Sequence, residues 1–115
     1  MPADNGDPAR LWDMLEAARE VERFTAGVSR EQYLDERMRQ RAVERALEIV
    51  GEAARLVSEP FKQSHAEIPW RSIVGLRNIL AHEYGEVKQV RLWAVAMKDI
   101  PDLIKRLVPL VPPSA

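Results

Sequence analysis

Apolar positions along the chain recur at spacings of three and four, the period of a helix face turned towards a core. Leu11, Met14, Leu15, Ala18, Val21 and Phe24 form the first such stripe. It predicts a helix opened by Asp7 as N-cap with Pro8 in its first turn, and stopped near Gly27. The next start is "VSREQY", residues 28–33. Ser29 is an N-cap, Gln32 completes a capping box, and Val28 and Tyr33 are placed as a hydrophobic staple. A long helix is predicted from about Arg30 to Ser58. Its first half carries only a narrow stripe, Leu34, Met38 and Ala42, and should be exposed or face a partner. Its second half, "RALEIVGEAARLV", is apolar over a wider arc and should be core. Gly51 in a helix interior costs about 1 kcal/mol against alanine, so it implies close approach by another helix.

Pro60 is expected to end that helix, with "FKQSHAE" as a connecting loop. Pro69 opens a third helix that ends near Gly85. A fourth runs from about Val87 to Ile100 with Val90, Ala94 and Met97 inward, and Pro101 breaks or kinks it. Asp99 is a candidate cap for a last short helix, "PDLIKRLV", before a proline-rich end, "VPLVPPSA". No strand pattern, repeat or sustained heptad is present. The expected fold is all-α, a four- to five-helix up-and-down bundle over residues 8–108, with a disordered lead at 1–7 and a proline-rich tail at 109–115.

Composition narrows the chemistry. The 115 residues suit one domain, and 46% hydrophobic with 30% charged residues is a globular balance. With no cysteine, disulfides, thiolate metal sites and cysteine nucleophiles are excluded. No apolar run reaches the ~20 residues that span a bilayer, and the N-terminus has no apolar signal region, so a cytoplasmic location without membrane attachment is expected. A net charge of −1 offers no global attraction for nucleic acid. An RNA partner would need a local basic site, or one assembled by two subunits.

The third helix concentrates the polar groups that chemistry would use. At about 100° per residue, Trp70, Ile73, Val74, Leu80, Ala81 and Tyr84 fall within about 60° of Arg77, which therefore sits at the centre of the apolar face. An arginine there requires a counter-charge. Glu44, Glu48 and Glu52 are the candidates, with Glu52 favoured because it adjoins Gly51. Arg71, Gly75, Asn78 and His82 form a second stripe about 100° to 160° away. Arg77 and His82 thus diverge by about 140° on a regular helix. They meet on one ligand only if the helix loosens before Gly85, the arginine curls around, or two subunits contribute. The bland reading stands beside this one: His82 as surface, Tyr84 as a core aromatic, Arg77 as an ion-pair member. His65 reads as surface, and Trp12, Trp70 and Trp93 as packing or interface anchors. Glycine-rich phosphate loops, H-E-x-x-H and G-x-S-x-G are absent, and two scattered histidines make no metal site.

"RNILAHEY", residues 77–84, matches R-x4-H-x-Y, and through it the chain resembles the HepT-like toxins of the HEPN superfamily. "ERALEIVGEAARLV" resembles that family's second-helix segment, "IPWRSIVGLRNILAHEY" its third, and "LWAVAMKDIPDL" its closing segment, so the likeness covers roughly residues 8–107. The resemblance implies a homodimeric helical bundle and a metal-independent endoribonuclease that needs no cofactor. It implies that Arg77 and His82 are catalytic, that Asn78 is the polar residue that follows the motif arginine, and that Tyr84 accepts AMP from a MntA-like nucleotidyltransferase antitoxin. Asn78 and Tyr84 are then expected to support RNA binding, and Arg71 would add positive charge to a dimer cleft. The RNA would be a tRNA or an mRNA. The chemistry is coherent with these side chains. The 2′-hydroxyl of RNA is an internal nucleophile, imidazole moves protons near neutral pH, and guanidinium holds phosphate. The alternative within the same resemblance is a non-catalytic helical partner, or nucleotide-binding module, of a nucleotidyltransferase.

Overall fold

The computed structural model describes residues 6–112. The chain is all-helical, with α1 at Asp7–Thr25, α2 at Arg30–Asp35, α3 at Arg37–Leu56, α4 at Glu59–Ser64, α5 at Trp70–His82, α6 at Gly85–Ala94 and α7 at Ile100–Leu107. A π-helical turn, Val95–Asp99, joins α6 to α7 without a break, and a 3₁₀ turn follows at Val108–Leu110. α1 lies mainly on α3 and α7, and α3 lies between α1 and α5. The all-α bundle expected from the sequence is borne out. No described helix is both long and apolar enough to cross a membrane. Residues 1–5 of the expected lead and 113–115 of the expected tail lie outside the described residues. Leu110 and Val111, at the start of that tail, pack against the core.

In α1 and the second half of α3 the core forms where the stripes predicted it. α1 buries Leu11, Met14, Leu15, Ala18 and Val21 against Val43, Leu47, Val50 and Ala54 of α3 and against Ile100, Leu103 and Leu107. In the first half of α3's predicted span, Met38 is 88% exposed, as its narrow stripe implied. Gly51 is buried, and a Cβ built on it would stand 3.2 Å from the Ile73 carbonyl oxygen and 4.0 Å from the Leu76 Cβ. The close helix approach inferred from that glycine is therefore the α3–α5 contact.

Several helix ends differ from the reading above. Asp7 is not the N-cap of α1, which is Gly6. Its carboxylate instead accepts from the Ser58 backbone N–H at 2.8 Å and the Ser58 hydroxyl at 2.6 Å, tying the start of α1 to the far end of α3. Ser29 does cap α2, accepting from the Gln32 N–H at 3.1 Å. The Gln32 side chain turns away to Glu36, so the box is half made. The long second helix breaks at Glu36, whose backbone is extended. Pro60 does not interrupt a helix, because α3 has already ended at Leu56. It sits in the first turn of α4, which replaces the expected loop and is capped by Ser58. His65, at the end of α4, is not a plain surface residue. Its ring stacks on Phe61 with centroids 4.3 Å apart, and its carbonyl accepts from the Trp70 indole at 3.0 Å.

The last helical rod buries Gln89, Leu92, Ala96 and Ile100, not Val90, Ala94 and Met97. A polar residue, Gln89, occupies an inward position, which an apolar count cannot register. Pro101 lacks an N–H and its ring would crowd the carbonyl four residues back. The wider π turn immediately before it accommodates this, with the Ile100 N–H reaching back to the Val95 carbonyl. Asp99 is within the rod and makes no cap.

Candidate active site

α5 packs Trp70, Ile73 and Leu76 into the core, so the centre of its buried arc lies to one side of Arg77. The expectation of a buried Arg77 is corrected: the residue is exposed. Its stem lies over Gly51, with Cγ 3.9 Å from where a Cβ would stand there. The aliphatic stem covers the α3–α5 contact and the charged head reaches solvent. The head opens into a cleft of about 640 Å³ that is also lined by Arg10, Asp13, Arg45, Glu48 and Glu52. None of the three candidate carboxylates forms an ion pair with Arg77 among the described residues. Glu48 is taken by Arg45 and Glu52 by Arg55, while Glu44 faces Arg41 and Lys88. Glu52 is nonetheless the one that senses Arg77. Its hydrogen bond from Arg55 holds its carboxyl below the ordinary range, and the charge of Arg77 adds a smaller push the same way.

His82 ends α5, and the chain then runs extended through Glu83 and Tyr84 to Gly85, where φ is +64°. A left-handed residue of this kind is where glycine is favoured. The helix therefore loosens before Gly85, one of the three routes open from the sequence. Tyr84 leaves the helical wheel and is not a core aromatic; it is 78% exposed. It lines a second groove with Leu34, Arg37, Arg41 and Lys88. Arg71, Asn78 and His82 are exposed on α5 and line neither the Arg77 cleft nor the Tyr84 groove. A single chain thus brings Arg77 and Tyr84 to different recesses, with His82 on the helix end between them in sequence.

That helix end is held by a polar chain that sequence reasoning missed. The buried Tyr33 hydroxyl donates to Gln89 Oε1 at 2.7 Å, and Gln89 Nε2 donates to Glu44 Oε2 at 2.6 Å. Lys88 Nζ stands 3.7 Å from the same carboxylate and donates to the Leu80 carbonyl at 3.0 Å. Leu80 is in the last turn of α5, where carbonyls have no partner inside the helix. Burial, with the Glu44 charge second, pushes the Tyr33 phenol far above its usual range, so it remains a donor. An Arg91–Glu83 pair fastens the residue between His82 and Tyr84 to α6. Gln89→Leu leaves both the Tyr33 hydroxyl and part of Glu44 unsatisfied, and urea unfolding should show a loss of about 2 kcal/mol.

No cluster of three or more metal-ligating side chains occurs among the described residues. Comparison with known proteins then decides the family. The model of the ribonuclease HepT-like family matches residues 14–110. The chain belongs to the ribonuclease HepT-like family. It is 38% identical over 99 residues to the Methanocaldococcus jannaschii protein named "Putative RNase MJ1380", covering 86% of this chain and 91% of that one. It is 42% identical over 93 residues to "Probable ribonuclease HepT" of Thermococcus cleftensis, covering 81% and 84%. With "Putative RNase TTE0752" of Caldanaerobacter subterraneus the identity is 37% over 81 residues, covering 70% and 72%. No solved structure matches the chain significantly. The family resemblance drawn from "RNILAHEY" and its flanking segments is borne out, and with it an enzyme class, ribonuclease.

Proposed function

We propose that this HepT-like chain is a toxin-type, metal-independent endoribonuclease that works as a homodimer, with its site at the two-fold cleft. The observation that carries the reading is an exposed Arg77, without an ion pair among the described residues, together with an exposed His82 at a loosened helix end. Both lie within the R-x4-H-x-Y stretch of a chain that belongs to this family. Within one chain these groups diverge, and a second copy related by a two-fold axis doubles each of them and lets His82 of one copy approach Arg77 of the other.

In this reading the ribose 2′-oxygen attacks the adjacent phosphorus while its proton passes to the His82 imidazole. The phosphorus–O5′ bond breaks, the leaving oxygen takes a proton, and a 2′,3′-cyclic phosphate remains. Arg77 holds the phosphate oxygens and stabilises the added charge. Asn78, one turn before His82, orients the phosphate or the ring. Arg71 and Tyr84 contact flanking RNA.

Tyr84 is also the acceptor through which a nucleotidyltransferase antitoxin silences the enzyme. Its phenolic oxygen attacks the α-phosphorus of ATP, the bond to the β-phosphate oxygen breaks, pyrophosphate leaves, and the phenol proton goes to solvent or base. The 78% exposure of Tyr84 supports access by such a partner. The added phosphate would repel and block RNA. The purified protein should cleave RNA in the presence of EDTA. Incubated with ATP and the nucleotidyltransferase, it should gain AMP in a mass spectrum, whereas Tyr84→Phe should gain none. AMP on the variant would remove the Tyr84 assignment. No cleavage of any RNA at any concentration would favour a non-catalytic helical partner.

A further inference from the structure

The 640 Å³ cleft that holds Arg77 is also lined by Arg10 of α1, which makes no ion pair among the described residues. Arg10 Nε is buried and has no hydrogen-bond partner among the described residues. A buried guanidinium N–H without an acceptor is costly in a folded protein, so the Arg10 head is left short of partners by its own bundle. The rest of the cleft cannot supply one. The Glu48 carboxylate is engaged by Arg45 and the Glu52 carboxylate by Arg55. Asp13 lines the cleft three residues from Arg10, yet no ion pair within 4 Å joins them. The three arginines and three carboxylates that line the cleft balance in formal charge, but Arg45 and the two glutamates are engaged in ion pairs, which leaves Arg10 and Arg77 facing a single unengaged carboxylate, Asp13.

We infer that Arg10 and Arg77 together form a phosphate seat, and that Arg10 binds a phosphodiester of the RNA strand in the cleft between α1, α3 and α5. The inference rests on the ribonuclease reading and adds to it a binding residue outside the R-x4-H-x-Y stretch. Guanidinium groups are suited to this, because their planar N–H forks match phosphate oxygens in pairs. The two arginines come from different helices, α1 and α5, each packed on α3. The spacing of the seat is thus fixed by the bundle and not by a mobile loop. Asp13 also gives the lining of the cleft an acceptor of the kind that a ribose hydroxyl can use.

The test uses full-length protein carrying His82→Ala, so that RNA is bound and not consumed. Binding of a fluorescent single-stranded RNA is measured by anisotropy over a range of salt concentrations. Arg10→Met keeps the stem and removes the charge. It should weaken binding about tenfold and lower the slope of log Kd against log salt by about 0.7, one phosphate contact on a single strand. Arg10→Lys should restore the slope while recovering only part of the affinity, since it keeps the charge and loses the fork. If Arg10→Met binds with unchanged affinity and slope while Arg77→Met loses both, Arg10 is not a phosphate ligand, although the ribonuclease reading stands. If Arg10→Met loses binding together with a change in oligomeric mass, Arg10 is a subunit contact and the inference is overturned. Wild-type protein that cleaves no RNA defeats the ribonuclease reading itself, a result visible before any Arg10 variant is made.

Discussion

His82→Ala should fold like the wild type and cleave RNA about 10²- to 10⁴-fold more slowly, the range of a lost general acid or base. The two halves of this expectation come from separate observations. His82 is exposed at the last residue of α5 and takes no part in the hydrogen bonds that hold that end. Those are donated by Lys88 to the Leu80 carbonyl and by Arg91 to the Glu83 carboxylate. Removing a surface side chain of this kind changes stability by no more than about 0.5 kcal/mol. The rate effect follows only if His82 moves a proton, so the comparison separates a reacting group from a structural one. Matched circular dichroism melts and cleavage time courses make the measurement. A variant as active as wild type sinks the proposed mechanism. A variant that melts much lower shows that His82 holds the bundle together, which its position does not provide for. Arg77→Ala should lower cleavage by a comparable factor, but through weaker phosphate contact, and its RNA binding should also lose salt sensitivity.

The fold was legible wherever a local signal had a local cause. Ser29 with Gln32, Pro69 before Trp70 and Gly85 after Tyr84 mark ends that the backbone obeys. Gly51 announced a helix contact that is present. The break at Glu36 had no such marker, since "YLDERMRQR" contains neither glycine nor proline. It is held by two side chains from the first turn of α3. The Tyr33 carbonyl accepts from the Glu36 N–H at 3.3 Å and from the Gln40 amide at 2.9 Å, and Arg39 donates to the Phe24 carbonyl at 2.6 Å. The break allows Tyr33 to be buried against Trp93 and Gln89 while α3 keeps its own face on α1.

The motif positions were legible for the same reason and their placement was not. A helical wheel assigns direction only while the helix lasts, so it holds for Arg77 and His82 and fails for Tyr84. It also centred the buried arc on Arg77, because it weighs every apolar residue equally. The true centre is fixed by Gly51, which draws Ile73 and Leu76 inward and leaves Arg77 at the margin. Arg10 left no trace in the sequence. Its significance depends on a cleft formed by three helices.

Gly51→Leu should destabilise the protein by about 3 kcal/mol, at the upper end of the range for overpacking, and melt at least 10 °C lower, on the order expected for a domain of this size. The first added atom already meets the Ile73 carbonyl oxygen at 3.2 Å, and that oxygen belongs to a helix backbone that cannot rotate aside. The further atoms of leucine would extend towards the Leu76 Cβ and the Arg77 stem, both near 4 Å from the first. α5 must then move away from α3. Gly51→Ala is the informative control. It gains about 1 kcal/mol of helix propensity and needs a shift of only a few tenths of an ångström, so its net effect should stay within about 1 kcal/mol. Because the Arg77 stem lies on the same glycine, displacement of α5 also moves the guanidinium that the phosphate seat needs. Gly51→Leu should therefore bind RNA more weakly at temperatures where it is still folded, while Gly51→Ala should bind nearly as wild type does. Equal melting temperatures for the leucine variant and the wild type would mean that α3 and α5 do not meet at Gly51, and the placement of Arg77 over the cleft would fall with that contact.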